Sequence, residues 1–293
     1  MNVYLRLTII LLIFFIACST QQQFTGLDPD TLRAFDDGEY QVALGHYEDF
    51  IERHQHDILS IPDSIYLGAG LSAYHLGQPE KSLNYLNLIR HTETADAEVH
   101  YILALLNREI DNLSREITAL EMYLASEPEG EKVFTMKERL FETYAESRNY
   151  EDAVKIWGEI EEHAGRNEPL LNTYFLVQKA LENDDVLDDI AEDLLLLNPD
   201  NTDALYHVAR KYFWRAENRY QTEMEAYENN RTHQQYARLL RAFEILNTDF
   251  HQSLNYFIRL YEIDPRPAYA RYIGNIYLRF NDEGKARYYH DKS

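Results

Sequence analysis

The fold is decided by residues 149–160, which read NYEDAVKIWGEI. In this segment Ala153 is followed four residues later by the large Trp157 and three residues further by the apolar Ile160. Spacings of three and four place these side chains on one face of an α-helix, where the small alanine lets a neighbouring helix approach closely. Phe141 lies twelve residues before Ala153, on the apolar stripe of a preceding helix. The segment therefore predicts the second helix of a packed helical pair.

The same spacing returns at other points of the chain. Two further copies consist of Ala43, Tyr47 and Phe50, and of Ser82, Leu86 and Ile89. Because proline cannot continue a helix, Pro128, Pro199 and Pro265 are each expected to close a pair. The chain therefore predicts helix pairs at 27–54, 63–91, 97–127, 133–163, 168–198 and 267–292.

This pattern resembles the tetratricopeptide repeat, whose 34-residue signature is W-x₂-L-G-x₂-Y…A-x₃-F…P. No copy in this chain has the full signature, since the Trp, Leu-Gly and Ala positions are each often replaced. The copies nevertheless keep their register. A helix pair with two apolar faces cannot bury both alone, so such pairs stack on one another. The resemblance implies an all-α fold, a right-handed α-solenoid of helical hairpins spanning 27–293.

One segment, 203–263, departs from the repeat. It contains no Gly or Pro, and its second half has apolar residues at alternating spacings of three and four. The only turn signal lies at 229–232, where Thr232 is a candidate helix N-cap. We expect one elongated hairpin here. The alternative is two ordinary repeats, because the distance from Pro199 to Pro265 is close to twice the repeat length.

Cys18 is the only cysteine, and an apolar segment, 7–17, precedes it. That segment is shorter than the ~20 residues a membrane-spanning helix needs. The arrangement resembles a bacterial lipoprotein signal, which implies a cleaved signal peptide at 1–17, a diacylated Cys18 and a short tether over 18–26. An ordinary cleaved signal peptide or a short membrane anchor is the alternative.

The charge of the chain limits its partners. Lys and Arg number 28 against 50 Asp and Glu, a formal net charge of −22. Such an excess of acid disfavours binding to nucleic acid and to anionic lipid. Attachment to the membrane is therefore expected to come from the acyl chains. Ser19 directly after the cysteine is compatible with sorting to the outer membrane, so we expect a lipid-anchored protein of the bacterial cell envelope at that membrane.

The sequence contains no recognisable catalytic or metal-binding motif. Neither H-E-x-x-H nor G-x-S-x-G occurs, and the eleven histidines are dispersed. Catalysis requires convergent groups with a positioned partner, and nothing in the chain nominates such a set. We expect a protein that is not an enzyme and that has no metal and no cofactor.

The resemblance also implies where a partner binds. In the family, the first helix of each pair lines a concave groove, through the residues three before and one after its closest-packed position. Carried over to this chain, these positions include Tyr101, Asn172, Tyr206, Arg210, Arg271 and Asn275, and Arg238 joins them if the hairpin register allows. Arg210, Arg271 and Asn275 would grip the carboxylates or the C-terminus of a partner. Alternatively, these arginines pair with the surplus acids of the protein itself.

We therefore expect a non-catalytic adaptor that binds an envelope protein or peptide in the groove. The rival function is a surface lipoprotein that captures a peptide or glycan for nutrient uptake, and an aromatic-lined pocket of some size would favour it. A third possibility is self-association, with 203–263 as the dimerisation element.

Overall fold

A computed structural model of the chain describes residues 28–293. The predicted signal peptide at 1–17, Cys18 and the tether to residue 26 lie outside the described residues. Residues 28–293 form fourteen α-helices and one short 3-10 turn, and they contain no β-strand. None of the helices in this range is both long enough and apolar enough to cross a bilayer. The all-α prediction is therefore confirmed.

The chain divides into two compact units, of which the first ends at Asp111 and the second runs from Asn112 to Ser293. The helices described in the first unit are α1 (Pro29–Asp36), α2 (Tyr40–Arg53), α3 (Asp63–His75), α4 (Pro79–Ile89) and α5 (Ala97–Glu109). In this unit α1 packs on α2 and α3 on α4. Each of these pairs turns at a glycine with positive φ, Gly38 or Gly77, a conformation that glycine adopts without a steric penalty.

Small residues make the helix contacts in the first unit. A Cβ atom added to Gly70 on α3 would lie 2.5 Å from Cδ2 of Leu86 on α4. Leu86 is fully buried, so its side chain has no free space to move into. The small residue at this position is therefore required for close helix packing.

The second unit contains α6 (Leu113–Ser126), α7 (Val133–Glu146), α8 (Tyr150–Ala164), α9 (Glu168–Ala180), α10 (Asp184–Leu197), α11 (Thr202–Asn229), α12 (His233–Ile263), α13 (Pro267–Arg279) and α14 (Glu283–His290). Helices α7/α8, α9/α10, α11/α12 and α13/α14 pack as pairs. Ala153, Trp157 and Ile160 are all buried, as their spacing predicts. Helices α1, α3, α5, α7, α9 and α11 begin at residues 29, 63, 97, 133, 168 and 202, which is a period of 34 to 36 residues.

The elongated hairpin is confirmed, and the alternative of two ordinary repeats is wrong. Helix α11 has 28 residues and α12 has 31, whereas the neighbouring α9 and α13 have 13 each. No Gly or Pro interrupts either long helix. Thr232 caps α12, because its hydroxyl accepts a hydrogen bond of 3.2 Å from the backbone N–H of Gln235.

The base of the hairpin shares one hydrophobic core with α13. Phe213 of α11, Phe250 and Phe257 of α12, and Ile273 of α13 are all buried in this core. Arg215 and the buried Asp249 form a further link between the two long helices, with Nε of Arg215 2.8 Å from Oδ2 of Asp249. The three helices therefore hold each other in place, and they position the surface between α11 and α13.

Candidate binding cleft

A cleft of about 680 Å³ opens between α11 and α13 in the second unit. Both helices are the first of their pairs, so the cleft lies between positions that the repeat pattern assigns to a binding surface. The cleft is lined by Tyr206, Phe213, Trp214, Glu217, Gln221, Ala268, Arg271, Tyr272, Asn275, Leu278 and Arg279.

Aromatic rings form much of the cleft lining. Tyr272 stacks on the buried Phe257 with ring centroids 4.5 Å apart, and it meets Phe213 edge to face at 4.9 Å. These contacts hold the Tyr272 ring in one orientation. Trp214 and Leu278 also line the cleft and are about half-exposed. Such walls suit an apolar or aromatic group of a ligand.

One part of the cleft is closed by an ion pair between the buried Glu217 and the exposed Arg279. Nε of Arg279 lies 2.9 Å from Oε2 of Glu217, and the second guanidinium nitrogen bonds the other carboxylate oxygen. Gln221 also donates to Glu217, at 3.0 Å, and the Arg279 guanidinium lies 4.1 Å above the ring of Tyr220. The charges of Glu217 and Arg279 are thus neutralised by each other.

Arg271 and Asn275 have hydrogen-bonding groups left for a ligand. Among residues 28–293, no side chain forms a hydrogen bond or an ion pair with the exposed Arg271. The side-chain oxygen of Asn275 lies 3.1 Å from Nε2 of His290, so the NH₂ group of Asn275 remains to donate. The cleft therefore offers a cationic donor and an amide donor next to aromatic walls.

Arg210 lies beside the cleft. Its guanidinium is 5.6 Å from the ring of Tyr206, which does line the cleft. No carboxylate within residues 28–293 pairs with Arg210. Neither Arg210 nor Arg271 therefore forms an ion pair with an acidic side chain of the described residues.

The other predicted groove residues lie elsewhere. Arg238 pairs with Glu223 across the long hairpin, with Nε 2.7 Å from Oε2. Asn172 on α9 accepts a hydrogen bond of 2.9 Å from Asn201 and contributes to the joint between α9 and α11. Tyr101 lies half-buried on α5 of the first unit.

Three predicted groove residues line this cleft, Tyr206, Arg271 and Asn275. Trp214, Gln221, Leu278 and Arg279 also line it and were not predicted. A signal for Leu278 was available, because it follows Arg271 and Asn275 at the i, i+4, i+7 spacing of one helix face. Trp214 is the thirteenth residue of α11 and so lies at the end of the length of an ordinary first helix such as α9. Gln221 lies beyond that length, where the repeat pattern gives no position.

The acidic run at the start of α10 contributes to packing in this unit. Asp188 lies 2.9 Å from Nε2 of His207 and 2.5 Å from Nζ of Lys211, both on α11. Burial alone would raise the pKa of Asp188, but hydrogen bonds from Lys211 and His207 lower it below its usual value. Within residues 28–293, no group of three or more acidic or histidine side chains is arranged to hold a metal ion.

Comparison with known proteins gives a match at the level of the fold. No protein-family model matches the chain. No curated protein matches its sequence. A crystal structure of a "putative protein binding protein" from Bacteroides ovatus ATCC 8483 is similar with a TM-score of 0.50 and 21% identity, covering 76% of this chain and 99% of that one. The period of 34 to 36 residues between alternate helices matches the 34-residue length of the tetratricopeptide signature. The chain has the tetratricopeptide-repeat fold.

Two solved structures that are described as tetratricopeptide-repeat proteins are more distant. The C-terminal part of a repeat-containing protein from Cytophaga hutchinsonii has a TM-score of 0.47 and 13% identity, covering 90% of this chain and 92% of that one. YrrB, a repeat protein with an unusual peptide-binding site, has a TM-score of 0.43 and 12% identity, covering 60% of this chain and 87% of that one.

Proposed function

We propose that this protein is a non-catalytic, lipid-anchored adaptor of the bacterial cell envelope, and that it binds a protein partner in the cleft between α11 and α13. One observation carries the proposal. Within residues 28–293, Arg271 has no carboxylate partner, and it lies beside an aromatic-lined cleft in a chain whose formal net charge is −22. In a protein with so many acids, an unpaired arginine is available to the carboxylate of a partner.

The chemistry of the cleft indicates the kind of segment it takes. A guanidinium binds a carboxylate through two parallel hydrogen bonds, which gives both attraction and orientation. The NH₂ group of Asn275 suits a backbone or side-chain carbonyl, and the rings of Trp214 and Tyr272 suit an apolar side chain. The expected ligand is therefore a protein segment that carries an acidic group next to an aromatic or aliphatic residue. The similar protein from Bacteroides ovatus is itself described as protein-binding, which supports the proposal.

The envelope setting depends on Cys18. We propose that Cys18 is diacylated after removal of residues 1–17 and that the acyl chains hold the protein at the outer membrane. Two or three acyl chains anchor a protein stably, whereas one chain holds it only marginally. Because Cys18 is the only cysteine, a single substitution removes the attachment site without affecting another thiol.

Fatty-acid labelling tests the anchor. Growth of the source bacterium with an alkyne fatty acid is expected to label the wild-type protein, and separation of the two membranes is expected to find it in the outer one. Cys18→Ser is expected to lose both the label and the membrane association. Labelling that persists in Cys18→Ser, or a wild type that is never labelled, would contradict the anchor.

Co-purification tests the adaptor function. The protein is purified from gently solubilised native membranes as wild type, as Arg271→Glu and as Arg166→Glu. Arg166 is exposed and lies in the turn between α8 and α9, outside the cleft, so its substitution makes the same charge change elsewhere. A partner bound in the cleft is expected to be lost in Arg271→Glu and kept in Arg166→Glu. Partners that are kept in both variants would place binding on another surface.

A second candidate function is capture of a short peptide or glycan. The size and lining of the cleft favour it, since about 680 Å³ is within the range of small-ligand sites and its walls include Tyr206, Trp214 and Tyr272. The two functions are separated by titrating the Trp157→Phe protein with defined oligosaccharides and with short acidic peptides. The fluorescence of Trp214 reports binding in each titration. Saturable binding of an oligosaccharide, absent in Arg271→Glu, would favour capture over the adaptor.

A further inference from the structure

The distal part of the long hairpin, residues 218–245, extends past the end of α13. We call this segment the arm. Arg279, the last residue of α13, stacks on Tyr220, and α11 continues nine residues beyond that ring to Asn229. At 1.5 Å per residue, this overhang is about 13 Å. Among the described residues, the side-chain hydrogen bonds, ion pairs and ring contacts of the arm beyond Tyr220 all stay within α11 and α12.

The two helices of the arm pack on each other through aromatic residues. Tyr220 stacks on Phe243 at 5.9 Å, and Tyr227 lies 5.8 Å from Tyr236. Two helices bury only the faces they turn towards each other, so the outer faces depend on a further partner or on water.

One outer face of the arm is apolar. Tyr236 and Leu240 lie one turn apart on α12, and they are 48% and 46% exposed. Asn247 and His251, seven and eleven residues after Leu240, lie on the same side of the helix. His251 stacks on Phe280, directly after α13, with ring centroids 4.4 Å apart. Near the base of the hairpin, this side of α12 is therefore covered by Phe280 at the end of α13. Along the arm, Tyr236 and Leu240 on the same side are exposed.

The charge of the arm differs from that of the chain. It contains four glutamates and four arginines and is neutral, whereas the whole chain has a formal net charge of −22. Within residues 28–293, Glu223 and Arg238 form the only ion pair of the arm. Six charged side chains of the arm form no ion pair within residues 28–293, three of each sign: Arg219, Arg231, Arg241, Glu225, Glu228 and Glu244.

We propose that the arm is a homodimerisation surface, in which the Tyr236 and Leu240 face of one copy packs against the same face of a second copy. The charge pattern favours a second copy as the occupant. A two-fold interface sets the same surface against itself, so a patch of one sign would repel, whereas a neutral patch with unpaired charges of both signs is self-complementary. Association of two arms gives a four-helix contact in which the apolar faces are buried. The dimer does not depend on occupation of the cleft.

Cysteine cross-linking tests the dimer in native membranes. Cys18 is the only natural cysteine and is the proposed acylation site, so Leu240→Cys introduces one new thiol into the full-length protein. The matched control is Ile245→Cys, because Ile245 is 49% exposed on the same helix but lies about 140° around it from Leu240. A short bismaleimide is expected to give a covalent species of twice the mass with Leu240→Cys and little with Ile245→Cys.

Three results would overturn the proposal. They are no cross-linked species with Leu240→Cys, equal dimer yield from both positions, and a Leu240→Cys product that contains a different protein. Light scattering provides an independent measurement on full-length Cys18→Ser protein, in which Leu240→Glu is expected to lower the measured mass and Ile245→Glu to leave it unchanged. A mass that stays monomeric for the parent from micromolar to near-millimolar concentration would also exclude the dimer.

Discussion

Arg279 on α13 binds both carboxylate oxygens of Glu217 on α11, and this pair joins the last helix pair to the long hairpin at the edge of the cleft. Glu217 is only 7% exposed, so its charge is held in a largely dry environment. Arg279 satisfies that charge and stacks on Tyr220 at the same time. The pair positions α13 against α11, and Arg271 is the cationic side chain of the cleft that has no ion-pair partner among residues 28–293.

Removing Arg279 is expected to be costly. In Arg279→Met the Glu217 carboxylate stays buried without its cation, and the expected loss in the free energy of unfolding is about 3 kcal/mol. Arg266→Met is the control, because Arg266 pairs with Asp264 at an exposed position, where water screens the charges, and its loss is expected to cost far less. Denaturant unfolding of the two variants measures the difference. Equal losses would contradict the view that the buried Glu217 carboxylate depends on Arg279.

Two glycines are expected to respond to alanine in opposite directions. Gly70→Ala places a methyl group against the fully buried Leu86, and overpacking of this kind costs about 1–3 kcal/mol. Gly158→Ala in α8 meets no atom within 4 Å and is expected to stabilise by about 0.5–1 kcal/mol through higher helix propensity. Thermal unfolding of both variants measures the two signs. A Gly70→Ala protein as stable as the wild type would contradict the close helix contact.

The stability of the first unit is expected to fall below neutral pH through His100. This imidazole is buried on α5, and burial lowers its pKa below the ordinary value of 6.5, although Asp96 acts in the opposite direction. As the pH falls through 6.5, His100 of the unfolded chain binds a proton, whereas the buried imidazole of the folded protein stays neutral. The free energy of unfolding therefore decreases until the pH reaches the lower pKa of the folded state. Above pH 6.5 both states are neutral and the effect vanishes.

Denaturant unfolding at about pH 7.5 and about pH 5.5 checks this expectation. His100→Gln is expected to lose less stability between the two values than the wild type does. His233→Gln, at an exposed position on α12, is the control and is expected to keep the wild-type dependence. An unchanged dependence in His100→Gln would show that other groups are responsible.

The fold could be predicted from the sequence because close helix packing limits which residue types can occupy each contact. Ala153 is small and buried where two helices meet, and Trp157 and Ile160 follow it at helical spacing. The same restriction gave the bounds of the pairs to within a few residues. The long hairpin followed from the absence of Gly and Pro over 203–263, since nothing in that segment ends a helix before Asn229.

The residues of the cleft could be predicted from the sequence only in part. Tyr206, Arg271 and Asn275 occupy positions that the repeat register fixes, and the structure brings them together. The position of Arg238 is set by a contact across the hairpin, because it binds Glu223, which lies fifteen residues earlier in the chain. The pairing of Glu217 with Arg279 joins residues 62 positions apart, so no local pattern in the sequence indicates it.

Site-specific photo-cross-linking in native membranes tests the central claim, that a protein partner binds in the cleft, most directly. A photoreactive amino acid replaces Leu278, which is half-exposed in the cleft, or Leu196, which is more exposed and lies on α10 outside it. We expect a discrete cross-linked protein from position 278, none from position 196, and loss of the product when Arg271→Glu is added. The same products from both positions, or a product at 278 that Arg271→Glu leaves unchanged, would contradict binding in this cleft.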